Sequence, residues 1–211
     1  MYRTLPNQLT VLRLVLAGVF FVALNQYRYV GHDVAAVNGT RHWLWVAFIL
    51  FLLAVITDAL DGYLARKWQV ESTFGRIMDP FCDKVLILGA FIFLAGPRFA
   101  ASRGDTLISV SSVYPWMVAV MLARELLVTG VRGELEGAGV QFGANIFGKA
   151  KMILQSIAVP VILGVVWLDP IRYESIGTAA DLLMYVIVVV TVASGAPYVT
   201  KAGAAMRQWQ K

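Results

Sequence analysis

The chain has 211 residues, of which 59% are hydrophobic and only 15% are charged. This balance is too apolar for an ordinary soluble domain and predicts an integral membrane protein. The formal net charge of +5 does not predict nucleic-acid binding, because the basic residues lie between apolar segments and form no continuous stripe. The single cysteine, Cys82, excludes an internal disulfide or a thiolate metal site and is interpreted as a packing residue.

Six apolar segments follow one another along the chain, and most approach the roughly 20 residues that a spanning helix needs. They cover residues 11–27, 43–64, 79–99, 111–131, 151–168 and 179–199. Residues 1–10 are short and basic and predict an interfacial segment before the first span. The fold class is therefore an all-α integral membrane protein with six transmembrane helices, formed by residues 1–211 as a single domain.

The basic residues predict the orientation of these six spans. An even number of spans puts both termini on one side of the membrane, and that side carries most of the lysines and arginines. The opposite side carries only Arg28, Arg41, Arg98, Arg103 and Arg172. The positive-inside rule then places the richer side in the cytoplasm, which predicts a multi-pass protein of the cytoplasmic (inner) membrane.

Four aspartates interrupt the second and third apolar segments near this cytoplasmic side. Asp58 and Asp61 are three residues apart, and Asp79 and Asp83 are four apart, so each pair lies on one helical face. Carboxylates near lipid need a compensating positive charge. Oxygen ligands of this kind suit Mg²⁺ or Mn²⁺, and Mg²⁺ commonly bridges carboxylates to substrate phosphates. The array predicts a phosphate-handling metal site.

The residues between the acids suit a ligand site. Gly62 leaves space for a close approach, and Arg66 offers a guanidinium for a phosphate. Ser72 can cap the next helix or bind a ligand, and Gly75 leaves room for a flat group such as a base. An alternative is that the acids only form salt bridges, with basic partners in the same stretch. Those partners would be Arg66, Arg76 and Lys84.

The pattern from Asp58 to Asp83, with Gly62, Ala65, Arg66 and Gly75 between the acids, resembles the signature of the CDP-alcohol phosphatidyltransferases. In that family the four aspartates hold two divalent metal ions over the pyrophosphate of a CDP-linked lipid, and the fourth is the proposed base. The resemblance implies these roles for the four aspartates here, with Asp83 as the catalytic base. It also implies a CDP-lipid site, lined by Asn7, Thr10, Gly62, Arg66, Ser72 and Gly75.

Three further stretches are similar to the bacterial phosphatidylglycerophosphate synthases of that family. They cover residues 6–13, 74–84 and 123–132, the last followed by the motif at 148–151. This similarity implies transfer of phosphatidyl from CDP-diacylglycerol to sn-glycerol 3-phosphate, with release of CMP. An acceptor that carries its own phosphate needs cationic groups beyond the metal site. The chain offers Arg124, Arg132, Lys149 and Lys151.

Two alternatives remain open at this point. The first keeps the chemistry but changes the acceptor, for example to an inositol phosphate. The second is a metal-ion transporter, although transporters place such acids nearer the bilayer midplane. The family resemblance also implies a homodimer in the lipid bilayer, and nothing in the sequence identifies the helices that would form its interface.

Overall fold

A computed structural model describes residues 5–29, 34–68, 73–103, 105–137, 146–168 and 174–209. In these ranges six long helices and one short hairpin follow one another along the chain. They are α1 (Leu5–Gln26), α2 (Val34–Trp68), α3 (Thr73–Leu94), β1 (Ala100–Arg103), β2 (Thr106–Ser109), α4 (Pro115–Gly137), α5 (Ile146–Trp167) and α6 (Glu174–Trp209).

Four of these helices are long and apolar enough to cross a membrane. The candidate spans are Gln8–Gln26, Gly39–Gly62, Ile146–Trp167 and Ser175–Gly203. α3 and α4 are 22 and 23 residues long, but charged residues interrupt them. The structure therefore supports a predominantly helical membrane protein, while its described part gives four spans by this criterion where the sequence predicted six.

The bundle buries one stripe of each helix and leaves apolar side chains on the outside. On α1, Val11, Val15, Val19 and Val22 are exposed. The opposite stripe packs against α2 and α3. Its buried members are Thr10, Arg13, Ala17, Phe20 and Leu24. Spacings of three and four residues keep such positions on one helical face, and an apolar outer surface is what lipid contact requires.

α1 and α3 approach each other closely at Gly89. A Cβ atom added there would lie 2.3 Å from Phe21 Cζ, which is too close for any side chain. Phe21 itself stacks on Phe93 of α3, with ring centroids 5.3 Å apart. The absence of a side chain at Gly89 therefore lets α1 lie against α3.

The end of the third apolar segment differs from the prediction of a helix over 79–99. α3 ends at Leu94, because Gly96 and Pro97 do not favour continuation of the helix, and a 3₁₀ turn covers Pro97–Phe99. β1 and β2 then pair antiparallel, with Ala100 opposite Ser109. The purely helical prediction missed this hairpin, although the sequence Gly104-Asp105 between the two strands is typical of a two-residue hairpin turn.

The amino-terminal residues join the first helix. The sequence predicted an interfacial segment over 1–10 before the first span, and in the structure Leu5–Thr10 forms the first turns of α1 without a break. Residues 1–4 lie outside the described ranges. Continuity of this helix has a consequence for the site, since it brings Thr10 and Arg13 to the inner face of the bundle.

Candidate active site

Four carboxylates come together from the last third of α2 and the first half of α3. On α2, Asp58 and Asp61 continue the helical stripe whose apolar members are buried. Those members are Leu44, Ala47, Phe51 and Ala54. Asp61 is buried, with 5% of its side chain exposed, whereas Asp58, Asp79 and Asp83 are each about one third to two fifths exposed. The two pairs predicted from spacing therefore share one site that remains open on one side.

Arg13 of α1 lies among these four carboxylates. Its Nη1 is 2.7 Å from Asp58 Oδ1 and 3.2 Å from Asp83 Oδ1. Nη1 is also 3.9 Å from Asp79 Oδ1, and Nη2 is 3.6 Å from Asp61 Oδ2. Only 1% of the Arg13 side chain is exposed. The sequence placed Arg13 among the cytoplasmic charges and within the similar stretch 6–13, but it predicted no contact between Arg13 and the aspartates.

The sequence did carry a signal for Arg13. The residue falls three positions after Thr10 and four before Ala17, on the helical face that is buried along α1. An ionisable residue inside an apolar helix generally faces the bundle interior and pairs with an opposite charge. Four acids elsewhere in the chain were the available partners. The predicted alternative, salt bridges within the stretch from Arg66 to Lys84, overlooked this long-range partner.

Thr10 belongs to the same group of contacts. Its hydroxyl lies 3.0 Å from Asp79 Oδ1 and 3.4 Å from Asp61 Oδ2, close enough to donate to either carboxylate. The sequence predicted Thr10 as a CDP-lipid contact. In the structure it ties α1 to both α2 and α3 at the carboxylates.

The donor atoms of this array suit a hard divalent cation. All four side chains offer carboxylate oxygens, and the buried Oδ1 of Asp61 has no hydrogen-bond partner in the described part of the chain. Among the described residues no group of three acidic, histidine or cysteine side chains is already arranged around one ion position. The Arg13 guanidinium instead occupies the space between the carboxylates. The oxygen set fits Mg²⁺ or Mn²⁺, provided that this guanidinium withdraws.

The structure describes the other predicted CDP-lipid residues only in part. Gly62 follows Asp61 directly and is exposed, and Gly75 is buried in the first turn of α3. Asn7 and Arg66 lie on α1 and α2, but their side chains are outside the described part of the structure. Ser72 lies outside the described ranges altogether.

A second charged cluster joins α4, α5 and α6. Glu125 of α4 accepts a hydrogen bond from Arg124 Nη1 at 2.8 Å and a close one from Lys151 Nζ of α5. The side chains of all three residues are about 10% exposed. Arg124 Nη2 also donates to the backbone carbonyl of Ser194 on α6, at 3.2 Å. Two of the four predicted acceptor-site cations, Arg124 and Lys151, are thus brought together.

The other two predicted cations differ from this pair in their exposure to solvent. Arg132 and Lys149 are exposed on α4 and α5. Glu125 is the residue that sequence reasoning did not assign, since it was considered only as a partner for some neighbouring basic group. Its position between Arg124 and Lys151 depends on the packing of α4 and α5 against α6, which no local pattern in the sequence reveals.

Lys84 connects the two clusters. It follows Asp83 on α3, and its Nζ donates to Thr129 Oγ1 of α4 at 2.6 Å. Thr129 lies one helical turn after Glu125. Both clusters therefore lie toward the same end of the bundle, where α2 and α4 approach their carboxyl ends and α3 and α5 begin. The β1–β2 hairpin lies at the opposite end, where Tyr29 N donates to Arg98 O at 2.9 Å.

The arrangement of paired acids on two successive helices agrees with a family comparison over most of the sequence. Residues 3–193 match the family described as CDP-alcohol phosphatidyltransferase. The chain belongs to the CDP-alcohol phosphatidyltransferase family. The match includes every described residue of the aspartate array together with Arg13, Arg124, Glu125 and Lys151.

Curated relatives cover nearly the whole chain. A protein of Bacillus subtilis (strain 168) named CDP-diacylglycerol--glycerol-3-phosphate 3-phosphatidyltransferase is 33% identical over 204 residues, which is 96% of this chain and 97% of that protein. A Rickettsia felis protein of the same name is 28% identical over 93% of each chain. A probable phosphatidylglycerophosphate synthase of Mycobacterium tuberculosis (strain ATCC 25618 / H37Rv) is 35% identical, over 94% of this chain and 81% of its own.

Proposed function

We propose that this protein transfers the phosphatidyl group of CDP-diacylglycerol to sn-glycerol 3-phosphate and releases CMP. The product is phosphatidylglycerophosphate, and the protein is an enzyme of phospholipid biosynthesis. The observation that carries the proposal is the convergence of four carboxylates from α2 and α3 at one open site. The relatives named for this reaction support it, because they align with nearly the full length of the chain.

In this proposal Asp58, Asp61, Asp79 and Asp83 hold Mg²⁺ or Mn²⁺, as two ions. Bound ions would neutralise phosphoryl oxygens and the negative charge that develops on the leaving CMP. The support is the all-oxygen donor set and the unpartnered Oδ1 of Asp61. Asn7, Thr10, Gly62, Arg66, Ser72 and Gly75 are proposed to surround the CDP-lipid beside these aspartates.

The acceptor hydroxyl must lose one proton during the reaction. The acceptor hydroxyl attacks the lipid-linked phosphorus, a new P–O bond forms, and the bond to CMP breaks with its electron pair leaving on CMP. Asp83 takes the hydroxyl proton in this scheme. Its side chain is one third exposed and stands next to Lys84, which points toward α4 and the second charged cluster.

The acceptor phosphate is proposed to bind Arg124 and Lys151, with Arg132 and Lys149 nearer the entrance. Arginine forms two parallel hydrogen bonds with phosphate, while lysine provides a compact charge. Glu125 holds both inner cations in the structure, and a phosphate would compete with this carboxylate for them. The hydrogen bond from Lys84, next to Asp83, to Thr129, one helical turn after Glu125, links the two clusters and supports an acceptor that reaches from one to the other.

We propose that all six helices cross the cytoplasmic membrane and that the active site faces the cytoplasm. α3 and α4, with 22 and 23 residues, would each be about 33–35 Å long, enough for the hydrocarbon core. Their charges lie toward the end that carries the proposed site, where water and soluble substrates have access. We also propose that two copies of this chain form a homodimer within the bilayer.

An assay with a panel of acceptor alcohols tests this function directly. Purified protein would be supplied with CDP-diacylglycerol, Mg²⁺ and one alcohol at a time, and CMP release would be measured. Release with glycerol 3-phosphate and not with an inositol phosphate or serine supports the proposal. Release only with an inositol phosphate would show that glycerol 3-phosphate is not the acceptor. No release with any alcohol in the presence of metal would refute the transferase assignment.

A further inference from the structure

The Arg13 guanidinium is the feature of this site that the proposed reaction does not use. It approaches all four carboxylates within 4 Å although it comes from a different helix, α1. Thr10, one turn earlier on the same face, adds a hydroxyl close to Asp61 and Asp79. The amino-terminal part of α1 thus provides the positive charge between the two acidic pairs.

This charge has a clear electrostatic effect. Four ionised carboxylates around one small space repel each other, and the repulsion is strong where the surroundings exclude water. Arg13, with 1% of its side chain exposed, is the cation that the structure puts in contact with all of them. Its presence therefore lowers the free energy of the array when no metal ion is bound.

The hydrogen bonds around Arg13 are incomplete, however. Its Nε and Nη2 atoms are buried without a hydrogen-bond partner in the described part of the chain, and so is Oδ1 of Asp61. A guanidinium usually satisfies carboxylates through two parallel hydrogen bonds, which this arrangement does not provide. Arg13 is thus held mainly by charge, and a cation with a different geometry could replace it at the same oxygens.

We propose that Arg13 is the internal counter-cation of the aspartate array: it holds the four carboxylates together in the metal-free protein and competes with divalent cations for their oxygens. This inference rests on the proposed function, because it requires the aspartates to be metal ligands. Arg13 is then a positioning residue, and its guanidinium must withdraw from the shared oxygens when metal ions bind. The affinity for metal is consequently lower than four carboxylates alone would give.

The test compares Arg13→Gln and Arg13→Lys with the wild-type protein in detergent. Arg41→Gln is the matched control, because it removes the same charge at a residue that stacks on Trp167, 4.9 Å from the ring centroid, away from the array. Mn²⁺ affinity is measured by electron paramagnetic resonance of the free ion, with Mg²⁺ as competitor. Thermal unfolding is measured in EDTA and in Mg²⁺.

The expected result is a higher metal affinity together with a less stable metal-free protein. Arg13→Gln should bind Mn²⁺ about tenfold or more tightly, since a unit positive charge within 4 Å of the ligands is removed. Its melting temperature should fall in EDTA and recover in Mg²⁺. Arg13→Lys should shift both quantities in the same direction but less, because one ammonium cannot contact all four carboxylates at once. Arg41→Gln should leave the Mn²⁺ affinity unchanged.

The outcomes separate this inference from the proposed function. Unchanged or weaker Mn²⁺ binding in both Arg13 variants, while Asp61→Asn abolishes the binding seen in the wild type, overturns the inference and leaves the metal site intact. Failure of the wild-type protein to bind Mn²⁺ overturns both. If Arg13→Gln does not fold, Arg13→Lys decides, because equal Mn²⁺ affinity in that variant and the wild type contradicts competition.

Discussion

The buried cluster of Arg124, Glu125 and Lys151 allows a quantitative prediction. Glu125→Gln keeps the shape of the side chain but removes the only acidic group that the structure shows between the two cations. We expect this variant to be less stable than Lys151→Met. The reason is that Lys151→Met leaves Glu125 paired with Arg124 at 2.8 Å, whereas Glu125→Gln leaves two buried cations without a counter-charge.

The size of the effect follows from these contacts. Removing one partner of a buried ion pair typically costs about 3–5 kcal/mol. The glutamine oxygen still accepts one hydrogen bond, and Arg124 keeps its bond to Ser194 O, so the lower end, about 3 kcal/mol, is expected for Glu125→Gln. For a chain of this size that corresponds to a fall of about 6–12 °C in melting temperature. Lys151→Met should lose about half as much, because one charge-assisted hydrogen bond remains.

The measurement is thermal unfolding in detergent, with and without glycerol 3-phosphate or inorganic phosphate. A phosphate can replace the lost carboxylate, so the added anion should stabilise Glu125→Gln more than the wild type. Glu134→Gln, at an exposed position on the same helix, is the control and should melt like the wild type. Equal melting of Glu125→Gln and Glu134→Gln would refute the charge-balance reasoning, and equal stabilisation by phosphate would refute a phosphate site at these cations.

Three further predictions concern the reaction and the packing. Asp83→Asn should abolish CMP release while CDP-lipid binding, followed by equilibrium dialysis, is largely retained; undiminished turnover would contradict its role as base. Arg124→Ala should raise KM for glycerol 3-phosphate by about tenfold or more and that for CDP-diacylglycerol far less, and equal increases would indicate a structural role. Gly89→Ala should lower thermal stability by about 1–3 kcal/mol through its clash with Phe21, whereas Gly18→Ala, which meets no atom within 4 Å, should not; equal melting of the two variants would contradict the close approach.

The aspartate pairs show how far spacing alone can reach. Separations of three and four residues put each pair on one helical face, and this holds wherever a helix forms. Family membership was also readable from the fixed positions between Asp58 and Asp83, and the comparison over residues 3–193 confirms it. Both inferences use local geometry or a short linear pattern, which the tertiary structure does not alter.

The boundaries of elements were less predictable. The apolar run that was predicted to end at Phe99 ends as a helix at Leu94, and a hairpin follows. The basic start predicted as an interfacial segment is continuous with α1 from Leu5 onward. Hydropathy measures apolar content, and apolar content is similar in a helix end, a 3₁₀ turn and a short strand.

The sequence by itself determined the membrane class, the family and the two acidic pairs, because composition, periodicity and residue spacing are local properties of the chain. Only the tertiary structure decided which cation meets these acids, since Arg13 is 45 residues or more from every one of them along the chain. It also decided that Glu125 lies between Arg124 and Lys151. Contacts of this kind depend on how separate helices pack, because Arg13 and Lys151 each meet their carboxylate partners on a different helix.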